Sequence, residues 1–385
     1  MKKKRVAILG STGSIGLNAL KVIERLEDHF EVVTLSAFNN VDTLVGQIKK
    51  FWPRNVALSS ERIPELRRLF GKRVKFFDVA EDLPHLASAK EVDVVILAVT
   101  GAAALGPFLS AAQAGKVIAP ANKEALVMAG DVIVSEARRA GASIVPVDSE
   151  QSAIFQCLAG QDRAFLKKVH LTASGGALRK VAASRHDRLS VREILRHPRW
   201  RMGAKITVDS ATLMNKGFEV IEAMRLFGLS VEEVNVVIHP EAIIHSMVEM
   251  VDGALLAQLG LPDMRLPIQY ALTYPQRLPT GLRPLDLTEF KSLTFEKPDT
   301  GKFPALALAY YAARKGGTLP AVLNAADEVA VEAFLKGRIR FTDIFRIAEK
   351  VVMAHKTVSS ASLEDIRYAD ACARFNAVAA IKVIE

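Results

Sequence analysis

Short apolar runs alternate with helix-length polar or alanine-rich stretches over the first 147 residues. The runs lie at residues 6–9, 32–37, 56–58, 94–99, 117–119 and 144–147. Continuous apolar strands separated by helices are typical of a parallel sheet that is covered on both faces. The pattern predicts an α/β fold that begins with a Rossmann-like, doubly wound parallel sheet at residues 1–147.

The pattern changes after residue 147. Strand-like runs at 234–238, 243–250 and 254–259 predict a mostly antiparallel sheet in a central α+β catalytic domain at residues 148–273. Residues 274–300 are rich in proline and lack periodicity, which predicts a linker. Helical stretches at 305–315, 324–336, 342–355 and 363–385 predict a C-terminal helical bundle at residues 301–385.

Composition narrows the class of protein. Lys and Arg number 51 against 42 Asp and Glu, a formal charge of +9, but the cations are scattered and aromatic residues make up only 6%. Solvated faces and an attraction for phosphorylated small molecules explain this balance better than nucleic-acid binding. Cys157 and Cys372 lack metal-type spacing and favour a reducing cytoplasm.

Two stretches bear on targeting. The uncharged span at 94–115 contains glycines and a proline, so we expect a strand and a helix there rather than a membrane crossing. The basic start at residues 2–5 is followed by an apolar run too short for an export signal. We therefore expect no membrane partner.

A glycine turn joins the first predicted strand to the first predicted helix. Its sequence is Gly10-Ser11-Thr12-Gly13-Ser14-Ile15-Gly16. Such a turn lets the backbone approach a pyrophosphate, which the helix N-terminus attracts, although this spacing departs from the commonest dinucleotide fingerprint. The turn predicts dinucleotide binding, with a plain glycine-rich connector as the alternative.

The end of the second predicted strand bears on the choice of dinucleotide. It carries Phe38-Asn39-Asn40, with no carboxylate that would repel a 2′-phosphate. This favours NADP over NAD.

Two acids, Asp148 and Glu150, follow the last predicted strand of the parallel sheet. If the segment is extended, both side chains point to the same side, where two hard carboxylates suit Mg²⁺ or Mn²⁺. A pair of surface acids is the alternative, and the pair needs a third ligand. The segment 209–222 can supply it, since it carries Asp209, Glu219 and Glu222, and the two glutamates would share a helix face.

Hydroxyl, amide and cationic side chains lie close to these acids in the sequence. Ser210, Asn215 and Lys216 are the donor types that a phosphate group requires, and Ser174 precedes two glycines in a second polar loop. The alternative is a helix N-terminus with surface acids. The loop that contains Trp200 carries a large aromatic among Pro, Arg and Gly residues, which does not suit a core position.

Together these motifs resemble the 1-deoxy-D-xylulose 5-phosphate reductoisomerase family nearly end to end and in consistent order. The matching segments are the glycine turn, Ala121-Asn122-Lys123-Glu124, Pro146-Val147-Asp148-Ser149-Glu150, Ser174-Gly175-Gly176, His197-Pro198-Arg199-Trp200, the run 209–217, Ile238-His239-Pro240, Ile244-His245-Ser246-Met247 and Pro262-Asp263-Met264.

The resemblance implies an activity and its partners. Members convert 1-deoxy-D-xylulose 5-phosphate to 2-C-methyl-D-erythritol 4-phosphate in the non-mevalonate isoprenoid pathway, by a rearrangement like a retro-aldol cleavage and re-addition, followed by reduction. They use NADPH and a divalent cation, Mg²⁺ or Mn²⁺ with Co²⁺ as an alternative, and act as homodimers through the central domain.

The resemblance also implies roles for individual residues. The metal ligands would be Asp148, Glu150 and Glu219, with Ser149 beside them. The substrate phosphate would be bound by Ser174, Ser210 and Asn215, and a substrate hydroxyl by Lys216. The flap over the substrate, at about 194–204, would contain His197, Trp200 and Met202. The reacting centre would be lined by His245 and Met264.

The remaining implied roles concern the cofactor and catalysis. The cofactor contacts would be Gly10, Ser11, Thr12, Gly13, Ser14, Ile15, Gly16, Phe38, Asn39, Asn40, Asn122, Lys123, Glu124 and Gly203. The catalytic residues would be Lys123, Glu150, His197 and Trp200. Relatives often carry a small residue and a lysine where Phe38-Asn39-Asn40 stands, so the preference for NADPH over NADH rests on weaker contacts here.

Two other functions compete with this interpretation. A simple NADP-dependent dehydrogenase of a phosphorylated small molecule would explain the glycine turn but leave the acids unused, and dependence on an added divalent cation separates the two enzymes. A nucleic-acid-binding protein would explain only the positive charge.

Overall fold

The structure, a computed structural model, describes residues 2–196 and 202–384 of the chain. These residues form two compact units. Unit 1 runs to Ala125 and also contains Asp131–Ser152 and Asp263–Leu282. Unit 2 contains Leu126–Gly130, Ala153–Pro262 and the residues from Arg283 onward.

Unit 1 is built on a seven-stranded sheet in which every adjacent pair is parallel. Its strands are β1 (Lys4–Leu9), β2 (Phe30–Ser36), β3 (Asn55–Leu58), β4 (Lys75–Asp78), β5 (Val94–Leu97), β6 (Val117–Pro120) and β7 (Ser143–Ile144). Their order is β4-β3-β2-β1-β5-β6-β7, so the direction of winding reverses between β1 and β5. Ligands of such sheets bind beyond the carboxyl ends of the strands at this reversal.

Helices connect these strands, as a doubly wound sheet requires. They are α1 (Ser14–Arg25), α2 (Val41–Phe51), α3 (Ile63–Phe70), α4 (Leu83–Ser88), α5 (Leu105–Gln113) and α6 (Glu124–Ala140). The central strands are buried over most of their length because helices cover the sheet: Val6, Ala7, Ile8 and Leu9 of β1 are each 0% exposed. The predicted parallel sheet is confirmed, with β4 as an edge strand that the sequence pattern did not reveal.

Unit 2 contains a four-stranded mixed sheet. Its strands are β8 (Leu166–Ala173), β9 (Val234–Ile238), β10 (Ile244–Met250) and β11 (Leu255–Leu259), in the order β11-β10-β8-β9. The pairs β11/β10 and β10/β8 are antiparallel, whereas β8 and β9 are parallel. The predicted mostly antiparallel sheet is therefore confirmed, and β8 is an additional strand.

The later helices are α7 (Ser149–Leu158), α8 (Val191–Ile194), α9 (Ala204–Thr212), α10 (Met214–Phe227), α11 (Arg265–Thr273), α12 (Pro304–Lys315), α13 (Leu319–Leu335), α14 (Phe341–Ala354) and α15 (Leu363–Ile384). Helix α11 lies in unit 1. Helices α12–α15 form the predicted C-terminal bundle, and most of α13 is buried within it. Pro304 opens α12 and Gly316, at φ +65°, ends it.

The predicted linker is divided between the units: residues up to Leu282 belong to unit 1 and those from Arg283 to unit 2. The later part contains a short 3₁₀ helix, Leu287–Glu289, and Glu296 forms an isolated bridge with Ile238. Among the described residues, no helix combines the length and the apolar character needed to cross a membrane.

Candidate active site

The glycine turn lies between β1 and α1, where the sequence predicts it. Gly10 adopts φ +90°, and a Cβ atom there would lie 2.5 Å from the carbonyl oxygen of Ala98. A Cβ atom at Gly16 would lie 2.5 Å from the carbonyl oxygen of Gly10. Gly13 is the N-cap of α1 and supplies no capping side chain, so the turn presents backbone rather than side chains at the helix N-terminus.

Ser11 has a structural task within this turn. Its side chain is 0% exposed, and its Oγ donates to Gln47 Oε1 at 2.6 Å and lies 3.1 Å from the carbonyl oxygen of Ser36. Gln47 Nε2 donates in return to the Ser11 carbonyl oxygen at 2.9 Å. The buried Ser11–Gln47 pair thus ties the turn to α2, a connection that has no motif in the sequence.

The segment after β2 is open to solvent. Phe38 is 64% exposed, and Asn39 and Asn40 are exposed too. The Asn40 side chain accepts a hydrogen bond from the Thr43 backbone N–H at 3.1 Å and so caps α2. Asn40, one of the residues predicted to contact the 2′-phosphate, therefore also caps α2.

A buried cation lies at the carboxyl end of β6. Lys123 Nζ is 2.5 Å from Asp148 Oδ2, and the two side chains are only 6% and 9% exposed. The preceding Asn122 fixes this loop, because its Nδ2 donates to the carbonyl oxygens of Val99 at 2.8 Å and Gly101 at 3.1 Å. Lys123 therefore supplies a positive charge directly beside one of the predicted metal ligands.

Asp148 and Glu150 converge in a different way from that expected. The segment is not extended, because Glu150 lies in the first turn of α7 and Ser152 N–H donates to the carbonyl oxygen of Asp148 at 2.8 Å. Ser149 Oγ donates to Glu150 Oε2 at 2.5 Å. The prediction that the two carboxylates share one side of a strand is wrong, and a helix start brings them together instead.

Glu219 is the deepest of the three acids. It lies on α10, is 1% exposed, accepts a hydrogen bond from Asn215 Nδ2 at 2.5 Å and pairs with the ammonium group of Lys216. Asp148, Glu150 and Glu219 each offer one carboxylate oxygen, and these oxygens all lie within 4.8 Å of one another. We call these three residues the acid cluster.

The charges around the acid cluster suit a cation. Lys123 and Lys216 pair with two of its members, so its carboxylates outnumber these ammonium groups. Carboxylate oxygens without histidine or cysteine are the ligand set of Mg²⁺ and Mn²⁺.

The predicted phosphate-binding residues lie on two neighbouring segments of unit 2. Ser174 follows β8, and Gly176 adopts φ +67° directly against Ser210, so that a Cβ atom at Gly176 would collide with the Ser210 carbonyl oxygen. Leu213, at φ +62°, joins α9 to α10 and so connects Ser210 with Asn215. The glycine allows the close approach, and the left-handed leucine turns the chain.

His245 lies in β10 and is 7% exposed. Burial lowers the pKa of His245 to about 4, and the charge of Lys216 acts in the same direction. The imidazole is therefore neutral at neutral pH.

The remaining predicted residues differ in their burial. Met264 precedes α11, and Glu124 is the first residue of α6; both are half-buried. In the turn, Thr12 and Ile15 are half-buried and Ser14 is exposed. Met202 is half-buried, and Gly203 is the exposed N-cap of α9. His197 and Trp200 lie outside the described residues.

Three family models match the chain: 1-deoxy-D-xylulose 5-phosphate reductoisomerase at residues 6–130, its C-terminal domain at 144–227, and a DXP reductoisomerase C-terminal domain at 259–376. A 1-deoxy-D-xylulose 5-phosphate reductoisomerase of Thermodesulfovibrio yellowstonii is 49% identical over 371 residues, which cover 96% of this chain and 97% of the relative. The chain belongs to the 1-deoxy-D-xylulose 5-phosphate reductoisomerase family.

Other members give the same result. The reductoisomerase of Heliobacterium modesticaldum is 51% identical over 375 residues, 96% of each chain. A crystal structure of a DOX-P reductoisomerase with NADPH, fosmidomycin and magnesium is 42% identical with a TM-score of 0.94, covering 99% of this chain and 98% of that one. The enzyme from Zymomonas mobilis with NADPH is 39% identical with a TM-score of 0.92, covering 99% and 100%.

Proposed function

We propose that this chain catalyses the NADPH- and divalent-metal-dependent isomerisation and reduction of 1-deoxy-D-xylulose 5-phosphate to 2-C-methyl-D-erythritol 4-phosphate. Membership of the reductoisomerase family supports the reaction, and the solved relatives bind NADPH and magnesium. The observation that carries the proposal is the acid cluster, whose three carboxylate oxygens lie within 4.8 Å of one another. A dehydrogenase that only transfers hydride would leave this cluster without a use.

The acid cluster would hold the divalent cation. Its donor set fits a hard ion, and the ion pairs with Lys123 and Lys216 hold the Asp148 and Glu219 carboxylates in place. When bound, the cation would act as a Lewis acid toward the substrate's carbonyl and adjacent hydroxyl oxygens, and NADPH would supply the hydride. Ser149, which donates to Glu150, would lie beside the same substrate oxygens.

The substrate phosphate would be bound by Ser174, Ser210 and Asn215. Ser210 and Asn215 are connected by Leu213, and Ser174 lies two residues before Gly176, which packs against Ser210. Binding a phosphate remote from the reacting carbons supplies energy for orienting the sugar. Lys216, which is 3% exposed and paired with Glu219, would donate to a substrate hydroxyl.

The neutral imidazole of His245 would orient the sugar without adding charge. Because its pKa is lowered to about 4, it keeps one N–H donor and one nitrogen acceptor at neutral pH. Met264 would line the reacting centre together with His245. His197, Trp200 and Met202 would belong to a flap at about 194–204 that excludes water from the reacting fragments.

The cofactor would lie on the glycine turn. The N-terminus of α1, opened by Gly13, attracts the pyrophosphate, and the backbone of residues 10–16 approaches it closely. Phe38, Asn39 and Asn40 would meet the adenosine end, while Asn122, Lys123, Glu124 and Gly203 would meet the nicotinamide end. The catalytic residues would be Lys123, Glu150, His197 and Trp200.

Further features of the family extend the proposal. We infer a homodimer formed through residues 148–273, a cytoplasmic location, and Mn²⁺ or Co²⁺ as substitutes for Mg²⁺. Residues 1–147 would bind NADPH, 274–300 would act as a linker and 301–385 would support the catalytic domain. Size-exclusion chromatography with light scattering tests the dimer, and an elution at the monomer mass would contradict it.

A direct assay tests the reaction. Purified protein is supplied with 1-deoxy-D-xylulose 5-phosphate, NADPH and Mn²⁺, and the loss of reduced nicotinamide absorbance is followed with and without a chelator. We expect turnover that the chelator abolishes and a branched polyol phosphate as the product. Turnover that survives metal removal would instead favour a simple NADP-dependent dehydrogenase of a phosphorylated small molecule.

A further inference from the structure

A buried ion triad joins α9 to α13 within unit 2. Lys205 Nζ lies 2.6 Å from Asp209 Oδ2 on its own helix and 3.0 Å from Asp327 Oδ2 on α13. Asp209 is 2% exposed and Asp327 is 0% exposed. A carboxylate at such depth is stable only beside an opposite charge, so the Lys205 ammonium group stabilises both acids.

The helix alone does not account for this inward position of Lys205. A cation placed four residues before an acid is the weaker of the two orders in an isolated helix. Asp327 supplies a second anion from α13, and the ring of Phe218 on α10 lies 4.8 Å from Lys205 Nζ. The Asp327 carboxylate and the face of the Phe218 ring together attract the ammonium group inward, although the Lys205 side chain is still 26% exposed.

Helix α9 carries one of the residues assigned above to the substrate phosphate. Ser210 directly follows Asp209, and its backbone packs against Gly176 in the loop that contains Ser174. Fixing Asp209 therefore fixes the rotation of α9 and with it the position of the adjacent Ser210.

We infer that Asp327 is a positioning residue for the substrate phosphate: acting through Lys205 and Asp209, it fixes α9 so that Ser210 meets the phosphate. The inference rests on the proposed function, because that function assigns Ser210 to the substrate phosphate. Asp327 lies far along the chain from α9, on a helix of the C-terminal bundle. The bundle thereby contributes to substrate binding through this contact, in addition to forming a core.

The test compares Asp327→Ala with Asp327→Asn and with Glu332→Gln. Glu332 lies on the same helix, is 65% exposed and pairs with Lys336, so its variant controls for a charge change on α13. For Asp327→Ala we expect the KM for 1-deoxy-D-xylulose 5-phosphate to rise about tenfold, since a charge-assisted contact is lost, with the KM for NADPH changed by less than about twofold. Asp327→Asn keeps the shape of the side chain and an oxygen facing Lys205 but loses the charge, so its KM for the sugar phosphate should lie between those of the wild type and Asp327→Ala.

The outcomes separate this inference from the proposed function. Absence of turnover in the wild-type protein would reject the function, whatever the variants do. With an active wild type, an unchanged KM for the sugar phosphate in a folded Asp327→Ala protein would overturn the inference. An equal rise in the KM values for the sugar phosphate and NADPH would overturn it as well, because it would indicate that the whole fold had become less ordered.

A second variant covers the case in which Asp327→Ala does not fold at the assay temperature. Lys205→Met keeps the aliphatic stem of the side chain and removes the ammonium group that joins the two helices. The same selective rise in the KM for the sugar phosphate is expected, and wild-type KM values in this variant would overturn the inference.

Discussion

Replacing Glu219 by Gln tests the acid cluster with the smallest change of shape. Glu219 is 1% exposed, so its neighbours hold the side chain in place and the amide would occupy the same volume. The change removes one charged ligand and leaves Asp148 and Glu150 in position. We expect the protein to fold, to bind a divalent cation far more weakly and to lose at least about 99% of its turnover.

The magnitude follows from the spacing of the acids. Two unit charges 4.8 Å apart at an effective dielectric constant of about 20 repel by about 3.5 kcal/mol, so the closer carboxylates in the cluster repel at least this strongly. A divalent cation reverses these repulsions, and each missing carboxylate weakens its binding. Because loss of an outer-shell partner alone weakens metal affinity by about 10–100-fold, we expect at least about 100-fold for a direct ligand.

Calorimetric titration with Mn²⁺ measures this loss without requiring turnover. At a free Mn²⁺ concentration of about 100 times the wild-type Kd, the ion stabilises the wild-type fold by about 2.7 kcal/mol. A site weakened about 100-fold gains only about 0.4 kcal/mol at the same concentration. The thermal shift caused by Mn²⁺ should therefore almost disappear in the variant.

Glu222→Gln is the matched control. Glu222 lies one turn further along α10 and is also 1% exposed, but it is not part of the acid cluster. Its variant should bind Mn²⁺ as tightly as the wild type. Wild-type Mn²⁺ affinity in the Glu219→Gln protein would refute the assignment of Glu219 as a ligand.

Three further predictions follow from single contacts. Gly16→Ala should abolish NADPH binding, because its Cβ atom would meet backbone atoms of the turn, and fluorescence titration with NADPH measures this loss. Gly46→Ala in α2 is the control: its Cβ atom has open space, so thermal melting should show a fold stabilised by up to about 1 kcal/mol. Asn39→Lys should lower the KM for NADPH relative to NADH by up to about fivefold, and an unchanged ratio would place the 2′-phosphate elsewhere. His245→Gln should flatten the dependence of unfolding free energy on pH between about 6.5 and 4, as denaturant titrations would show.

The sign of the last prediction follows from the lowered pKa of His245. In the unfolded chain its imidazole takes up a proton near pH 6.5, but in the folded protein only near pH 4. The unfolded state therefore binds more protons in this window, and stability is lost as the pH falls from about 6.5 to 4. The loss amounts to about 3 kcal/mol at most, and an identical pH profile for the variant would contradict the burial of a neutral ring.

Local patterns predicted much of this fold. The glycine turn and helices α12–α15 were predictable because glycine spacing and helical periodicity involve residues that are close in the sequence. Strand β8 was harder to recognise, because Lys167 and Lys168 interrupt its apolar positions. Strand β4 is short and only partly buried, so it has little apolar pattern to recognise.

The geometry of the acid cluster could be predicted only in part from local sequence patterns. Residue types identified Asp148 and Glu150 as candidate ligands and the family resemblance added Glu219, but the extended geometry expected for the first two was wrong because α7 begins at Ser149. An Asp before a helix is a common N-cap residue, so a signal for this start was present. The contacts of Asp327 with Lys205 and of Gln47 with Ser11 join distant segments and have no local signature.

Leu213 bears on inhibitor design. Its left-handed backbone sets the angle between α9, which carries Ser210, and α10, which carries Glu219. A compound that links an anionic head to a chelating group has to span the separation that this angle creates. With the roles proposed above for Ser210 and Glu219, the backbone conformation of Leu213 would bear on the linker length that suits this protein.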